Sequence, residues 1–162
     1  LKEEIDYVRS YIELQKLRYN NAFDVTFDLG SAILKLGVLK LTLQPIVENA
    51  IQHGMDEVTA GGHITVAGNI VDNKLVLSVT DNGKGMDEEK VKAITATLTQ
   101  SYDVEPTSSI GLSNVHQRNS ILFGEEYGIR IFSGIGCGTR VELTLPVMSR
   151  EEMERYVQGI PR

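Results

Sequence analysis

The sequence predicts an α+β fold: a two-layer sandwich with a mixed, mostly antiparallel sheet and helices on one face. Two observations lead there. Helical and alternating segments are interspersed, and the strands of the second half come as two adjacent pairs, each suited to antiparallel pairing. That order argues against a doubly wound parallel sheet. A chain of 162 residues, 41% hydrophobic and 23% charged, has the composition of one globular domain that needs no staples.

The elements follow in order. Residues 1–19 form a helix, with Leu1, Ile5, Val8 and Ile12 as one apolar stripe and Tyr7, Tyr11 and Leu14 widening it. Asn20-Asn21 ends it. From Phe23 to Leu29 apolar and polar residues alternate, so Phe23, Val25, Phe27 and Leu29 share one face of a strand. Residues 30–42 are apolar without a clear period. Residues 43–53 are helical, because Leu43, Ile46, Val47, Ala50 and Ile51 recur at the helical spacing and Pro45 suits a first turn. Residues 63–71 and 74–80 alternate across Asp72-Asn73 and read as a hairpin. Asp87-Glu88-Glu89 opens a helix over 87–97. Residues 98–109 lack a period and read as a mobile loop. A helix over 111–123 stops at Gly124. Residues 128–133 and 139–145 form a second hairpin, and 149–157 a charged, weakly helical appendage.

Three segments carry chemistry. On the helix at 43–53, Pro45, Glu48, Asn49, Gln52 and His53 lie on the arc opposite the apolar stripe. A solvated face would explain most of them. Asn, however, is a poor helix-interior residue, and an amide oxygen beside a carboxylate can ligate Mg²⁺ along with phosphate oxygens. His53 stands one turn beyond Asn49 and can cover the same ligand. The second segment, Asp81-Asn82-Gly83-Lys84-Gly85-Met86, directly follows a strand. As a plain turn it is ordinary. As a site, Asp81 can accept from an exocyclic amine such as adenine's, and the glycines let the backbone approach a flat base. The third, Ser109-Ile110-Gly111-Leu112-Ser113-Asn114-Val115, puts a glycine where a loop enters a helix, which leaves N–H groups for phosphate.

In this order the three segments resemble the GHKL ATP-binding fold shared by gyrase, a heat-shock chaperone, histidine kinases and a mismatch-repair protein. Leu43 to Gly54 looks like the asparagine box of LytS/YesM-type sensor histidine kinases. Tyr11, Ile12, Gln15 and Arg18-Tyr19 are similar to the end of their dimerisation region. Ile110 to Val115 with Arg118 resembles their second glycine box, and Gly138-Thr139-Arg140 with Leu143 to Pro146 their closing strand. The resemblance covers about residues 1–147. It divides the chain into the end of a dimerisation and phosphoacceptor region (1–19), an ATP-binding catalytic domain (20–148) and a tail (149–162).

The resemblance also implies roles and partners. Asn49 would ligate Mg²⁺, with Glu48 beside it on the metal or acceptor side. Asp81 would hold the adenine amine, Gly83 and Gly85 would shape that wall, and Thr139 would support Asp81. His53 would pack on the base. Residues 87–110 would be the ATP lid, with Gly111 and Leu112 meeting phosphates through the backbone. Gln52 stands where relatives often have Lys, so Lys84 or Arg118 would supply that contact, and Met86 completes the adenine segment. Ser109 replaces a common glycine, which would stiffen the lid hinge. Hydrolysing relatives place a general-base Glu four residues before the metal Asn, where this chain has Pro45. The implied activity is therefore transfer of the γ-phosphate of ATP to a histidine, and onward to a response regulator. None of His53, His63 and His116 fits the acceptor pattern, so the acceptor would lie on a helix upstream of Leu1. The parent would be a homodimeric, membrane-anchored bacterial sensor with this domain in the cytoplasm. A GHKL ATPase driving a conformational clamp and a non-catalytic nucleotide-binding module are the rival readings.

The bulk numbers agree with this picture. A net charge of −6 without a basic stripe disfavours nucleic acid as a partner. A single cysteine, Cys137, excludes an internal disulfide. No apolar run is long enough to span a membrane. The chain opens at Leu1, partway into a helical pattern, as a fragment of a longer protein would.

Overall fold

The computed structural model describes residues 1–56, 58–99 and 110–159. The loop expected over 98–109, with Ser109, lies almost wholly outside the described residues. Five strands form one sheet: β1 (Phe23–Leu29), β2 (Gly62–Val71), β3 (Lys74–Asp81), β4 (Gly128–Ser133) and β5 (Thr139–Pro146). Their order is β1-β2-β3-β5-β4, with β1 parallel to β2 and every other pair antiparallel. The sheet is thus mixed and mostly antiparallel, as expected.

The helices are α1 (Lys2–Arg18), α2 (Ser31–Leu34), α3 (Gln44–Asn49), α4 (Glu88–Leu98), α5 (Ile110–Phe123) and α6 (Arg150–Gln158). Strand parity sends Ile64, Val66, Leu75, Leu77, Val79, Val141, Leu143 and Leu145 to a buried inner face. There they meet Ile5, Val8 and Ile12 of α1, Ile46 and Val47 of α3, and Leu112 and Val115 of α5 in one core. The outer sheet face carries polar residues such as Thr65, Thr80, Arg140 and Glu142.

Local chemistry explains the boundaries. Asn20 and Asn21 take positive φ after α1, and the Asn21 N–H bonds the Lys16 carbonyl at 2.8 Å, closing that helix end. Asp72 and Asn73 take φ of 48° and 58°, the geometry of a type I′ hairpin turn. Asp87 caps α4 by accepting from the Lys90 N–H at 2.7 Å.

Two expectations are corrected. Tyr7 and Leu14 do not widen the buried stripe of α1, since they are 57% and 67% exposed; the stripe is the Leu1-Ile5-Val8-Ile12 seam, with Tyr11 packed beside it as expected. The segment from Ser149 is no loose appendage. Ser149 and Glu152 form a capping box, Met153 is buried, and the Tyr156 hydroxyl donates to the Leu122 carbonyl at 2.6 Å.

Candidate functional site

Parity along the strands builds one wall of the site. Leu75, Leu77 and Val79 point into the core, and so does the next residue of that parity, Asp81. In β5, Thr139 shares the inward parity of Val141 and Leu143; in β4, Ser133 shares that of Ile129 and Ile131. The register aligns Ser133, Thr139 and Asp81 side by side at one end of the sheet. An otherwise apolar face therefore finishes in a row of three polar side chains.

That row is tightly bonded. Asp81 is buried, and its Oδ1 accepts from the Gly83 N–H at 2.9 Å and the Thr139 N–H at 3.2 Å. Burial raises its pKa above the ordinary value, and the two backbone donors oppose that rise. The Ser133 hydroxyl donates to the Gly138 carbonyl at 2.7 Å and accepts from the Met86 N–H at 2.9 Å. Its proton is then committed, so the 3.0 Å contact with Thr139 is one in which Thr139 donates.

The facing wall comes from α3. After Asn49 the helix widens into a π turn, Ala50–Gly54, a distortion often found at functional sites. The turn presses its backbone against the strand end. A β-carbon on Gly83 would lie 2.1 Å from the Gly54 carbonyl oxygen, and one on Gly54 would lie 2.6 Å from Asp81 Cγ. Gly85, at φ 67°, meets the Gly134 carbonyl in the same way.

Between these walls lies a cavity. Of the residues expected from sequence, Asn49, His53, Asp81, Lys84, Gly85, Met86, Leu112 and Thr139 line it. Gly83 stands behind its wall. Glu48, Gln52, Gly111 and Arg118 are placed elsewhere. Glu48 accepts from Gln44 Nε2 at 2.6 Å, and Gln52 bonds Tyr11, whose pKa rises through burial and the nearby Glu48 charge. Gly111 lets α5 approach α3, since a β-carbon there would sit 3.3 Å from Pro45 Cβ. Arg118 donates to the Leu41 carbonyl at 3.1 Å and Thr42 Oγ1 at 3.0 Å.

Sequence reasoning missed Asp56, Ile131 and Val141, which also line the cavity, and Ser133 beneath it; Gly54, Lys90 and Ile94 line it too and fall inside the expected asparagine box and lid, though without roles of their own. Ser133 was legible, because a serine ending an Ile-x-Ile alternation is a polar residue at an inward position. Lys90 and Ile94 come together because α4 presents positions one turn apart. Chemically the cavity offers apolar walls, a buried acceptor at its floor and an amide at its rim, which suits a flat base with an exocyclic amine attached to a polar tail.

Residues 38–149 match the family described as histidine kinase-, DNA gyrase B- and HSP90-like ATPase, and the chain belongs to that family. It is 34% identical over 146 residues to the sensor histidine kinase YesM of Bacillus subtilis, spanning 90% of this chain and 23% of that protein. It is also 34% identical over 152 residues to the sensor protein LytS of Staphylococcus saprophyticus, spanning 94% of this chain and 25% of that one. The chain thus spans about a quarter of the length of these relatives. Among solved structures, the catalytic domain of histidine kinase ThkA superposes with a TM-score of 0.63 at 19% identity, covering 92% of this chain and 94% of that one. ThkA in complex with the response regulator protein TrrA gives a TM-score of 0.59 at 19% identity, over 91% of this chain and 40% of that one. These likenesses establish the GHKL fold expected from sequence.

Proposed function

We propose that this chain binds Mg-ATP in the cavity and serves as the catalytic region of a sensor histidine kinase, passing the γ-phosphate to a histidine on an upstream helix. The observation that carries the reading is the buried Asp81, one oxygen of which is fixed by two backbone N–H groups on the floor of a pocket that Met86, Ile94, Leu112, Ile131 and Val141 also line. A carboxylate so placed selects a base that offers an amine and rejects one that offers a carbonyl. Thr139 supports it through its backbone N–H, and its own hydroxyl proton is directed to Ser133. Ile131, Val141, Met86 and Ile94 supply the apolar surface for the base, and His53, an exposed residue of the lining, is placed to pack on it.

The residues present also suit a metal that arrives with the nucleotide. Among the described residues no three His, Cys, Asp or Glu side chains stand close enough to hold an ion. Asn49 gives one neutral oxygen ligand, and Mg²⁺ commonly takes most of its shell from phosphates and water. The bound ion would neutralise phosphate charge during transfer. Lys84 and Lys90 line the cavity and provide the positive charge that Arg118, turned toward Leu41, does not. Gly111 and Leu112, at the start of α5, would bring backbone N–H groups to the phosphates.

The parent protein would be a homodimer whose membrane anchor lies outside this chain; no described helix is long and apolar enough to cross a membrane. A response regulator would receive the phosphate on an aspartate. The test is incubation of the full parent protein with γ-labelled ATP. Label that is acid-labile and alkali-stable, lost from histidine when a regulator is added, supports the reading. Rapid phosphate release without protein label would favour an ATPase, and binding with neither would favour a binding module.

A further inference from the structure

The loop between α2 and α3 holds a leucine in a conformation that leucine avoids. Leu41 has a φ of 55°, which L-residues other than Asn, Asp and His rarely adopt. Such backbone persists only where its surroundings fix it from several sides. Here two charged side chains do so. From α1, the Glu4 carboxylate accepts from the N–H groups of Leu41 at 2.8 Å, Thr42 at 2.9 Å and Leu43 at 3.1 Å. From α5, Arg118 donates to the Leu41 carbonyl and to the buried Thr42 hydroxyl. The two polar groups of Leu41 are thus held by opposite charges from different helices.

These contacts lie at the root of α3. Leu43 accepts the first backbone bonds of that helix, from the N–H groups of Ile46 and Val47 at 3.1 Å each. From Leu43 to Asn49 is about 9 Å of helix, at ~1.5 Å rise per residue. Within the first turn, Pro45 packs on Gly111 of α5. A shift of α1 therefore reaches α3 and α5 through the same three residues.

We propose that Glu4 and Arg118 are positioning residues: by gripping Leu41–Leu43 from two sides they tie the placement of α1 to the distance between Asn49 and the start of α5. Only the catalytic consequence rests on the ATP reading; the coupling itself is a property of the nucleotide-free chain. α1 thereby acts as an input, and withdrawing it leaves three N–H groups without their acceptor and Leu41 held from one side only, by Arg118.

The test is amide hydrogen exchange on the nucleotide-free chain carrying Glu4→Gln, Arg118→Lys or both. The expected result for either single variant is a rise of about tenfold in exchange over 44–54 and over 110–118, as expected when a charged hydrogen-bond network is broken locally. Exchange in the β2–β3 hairpin should stay at the parent rate, which separates a local effect from general destabilisation. The double variant should match the worse single one, because both act on one node. Glu3→Gln, which removes only an exposed ion pair with Arg150, should change neither segment. Should Glu4→Gln not fold, Thr42→Val removes an acceptor of Arg118 alone and should still raise exchange over 110–118. ATP titration then adds a second readout, with an apparent dissociation constant raised about five- to tenfold in Glu4→Gln. Exchange changes confined to 41–43, or additive effects in the double variant, would overturn the proposal. A parent chain that binds no ATP yet shows the expected exchange pattern supports the coupling and defeats only the functional reading.

Discussion

Gly83→Ala should disable the cavity while leaving the chain folded, and the structure sets the size of the effect. Gly83 is buried, and its N–H is one of the two donors to Asp81 Oδ1. A β-carbon built there lies 2.1 Å from the Gly54 carbonyl oxygen, and real β-carbons essentially never come closer than 3.0 Å to such an atom. The contact must open by roughly 0.9 Å, and because backbone stands on the far side no rotamer relieves it. If the π turn yields, His53 and Asn49 move with it. If the strand end yields, the bond from Gly83 to Asp81 lengthens. Either motion shifts one cavity wall against the other, and misplacement by ~1 Å costs on the order of 100-fold in activity. Overpacking of this kind destabilises by about 1–3 kcal/mol, a fall in Tm of roughly 3–9 °C for a domain of this size. The assay pairs ATP titration with thermal melting, and Gly30→Ala is the control. Gly30 has a φ of −63° and nothing within 4 Å of a new β-carbon, so both readouts should stay close to the parent. A Gly83→Ala variant that melts lower but binds ATP within twofold of the parent would refute the claim that this contact shapes the cavity.

Asp81→Asn should separate stability from binding. The amide oxygen keeps the bonds from Gly83 and Thr139, and the neutral side chain avoids the burial cost that raises the Asp81 pKa, so Tm at pH 7 should hold or rise while ATP affinity falls about 100-fold. Asn49→Asp should weaken Mg²⁺-dependent phosphotransfer at least tenfold, read from labelled protein, because it alters the charge and hydrogen-bonding of an amide ligand. Chelating Mg²⁺ should abolish transfer yet leave the melting curve of the nucleotide-free chain in place. His116 should give the fold an acid-side weakness. Burial lowers its pKa, and its Nδ1 accepts from the Ile129 N–H at 3.0 Å, which only the unprotonated nitrogen can do. With the folded pKa below the unfolded value near 6.5, its contribution is complete above 6.5 and lost as pH falls through the folded value. Melting between pH 7.5 and 5.5 should therefore show a slope that is reduced in His116→Gln.

What the sequence made legible was local. Strand parity, the Asp72-Asn73 turn and the apolar seam of 43–51 each follow from a few adjacent residues. The interleaving of β5 between β3 and β4 does not, since it depends on pairings far apart in the chain. The polar arc of α3 shows where local reasoning was used too coarsely. At about 100° per residue, Asn49 and His53 fall within ~40° of each other, and so do Glu48 and Gln52, but the two pairs are ~100° apart. The structure turns the first pair to the cavity and the second toward Gln44 and Tyr11. The arithmetic separates them, and only the presence of two neighbours, α1 and the cavity, makes the separation matter. The π turn has no comparable local mark, and its last residue, Gly54, meets Gly83 from a segment about 30 residues on. Arg118, which its place after the glycine turn offers beside Lys84 for a phosphate contact, donates to the Leu41 carbonyl, 77 residues away in the chain.

Pro45 brings these threads together. Its position is one turn before Asn49, where a carboxylate would be placed to activate water. A proline there has no basic group, and its ring is spent on packing, against the face that Gly111 leaves bare. Glu48, the nearest carboxylate in sequence, is bonded to Gln44 and turned toward α1. The first turn of α3 is therefore built to fix α3 against α5 and to supply no base. With Asn49 and the start of α5 held at a set distance and no group at that turn to deprotonate water, a nucleophile approaching a nucleotide bound as proposed would have to bring its own reactivity. An imidazole does so without prior deprotonation, because its neutral nitrogen already carries the attacking lone pair. On the proposed reading, a first turn that packs against α5 and carries no base would favour transfer to histidine over hydrolysis.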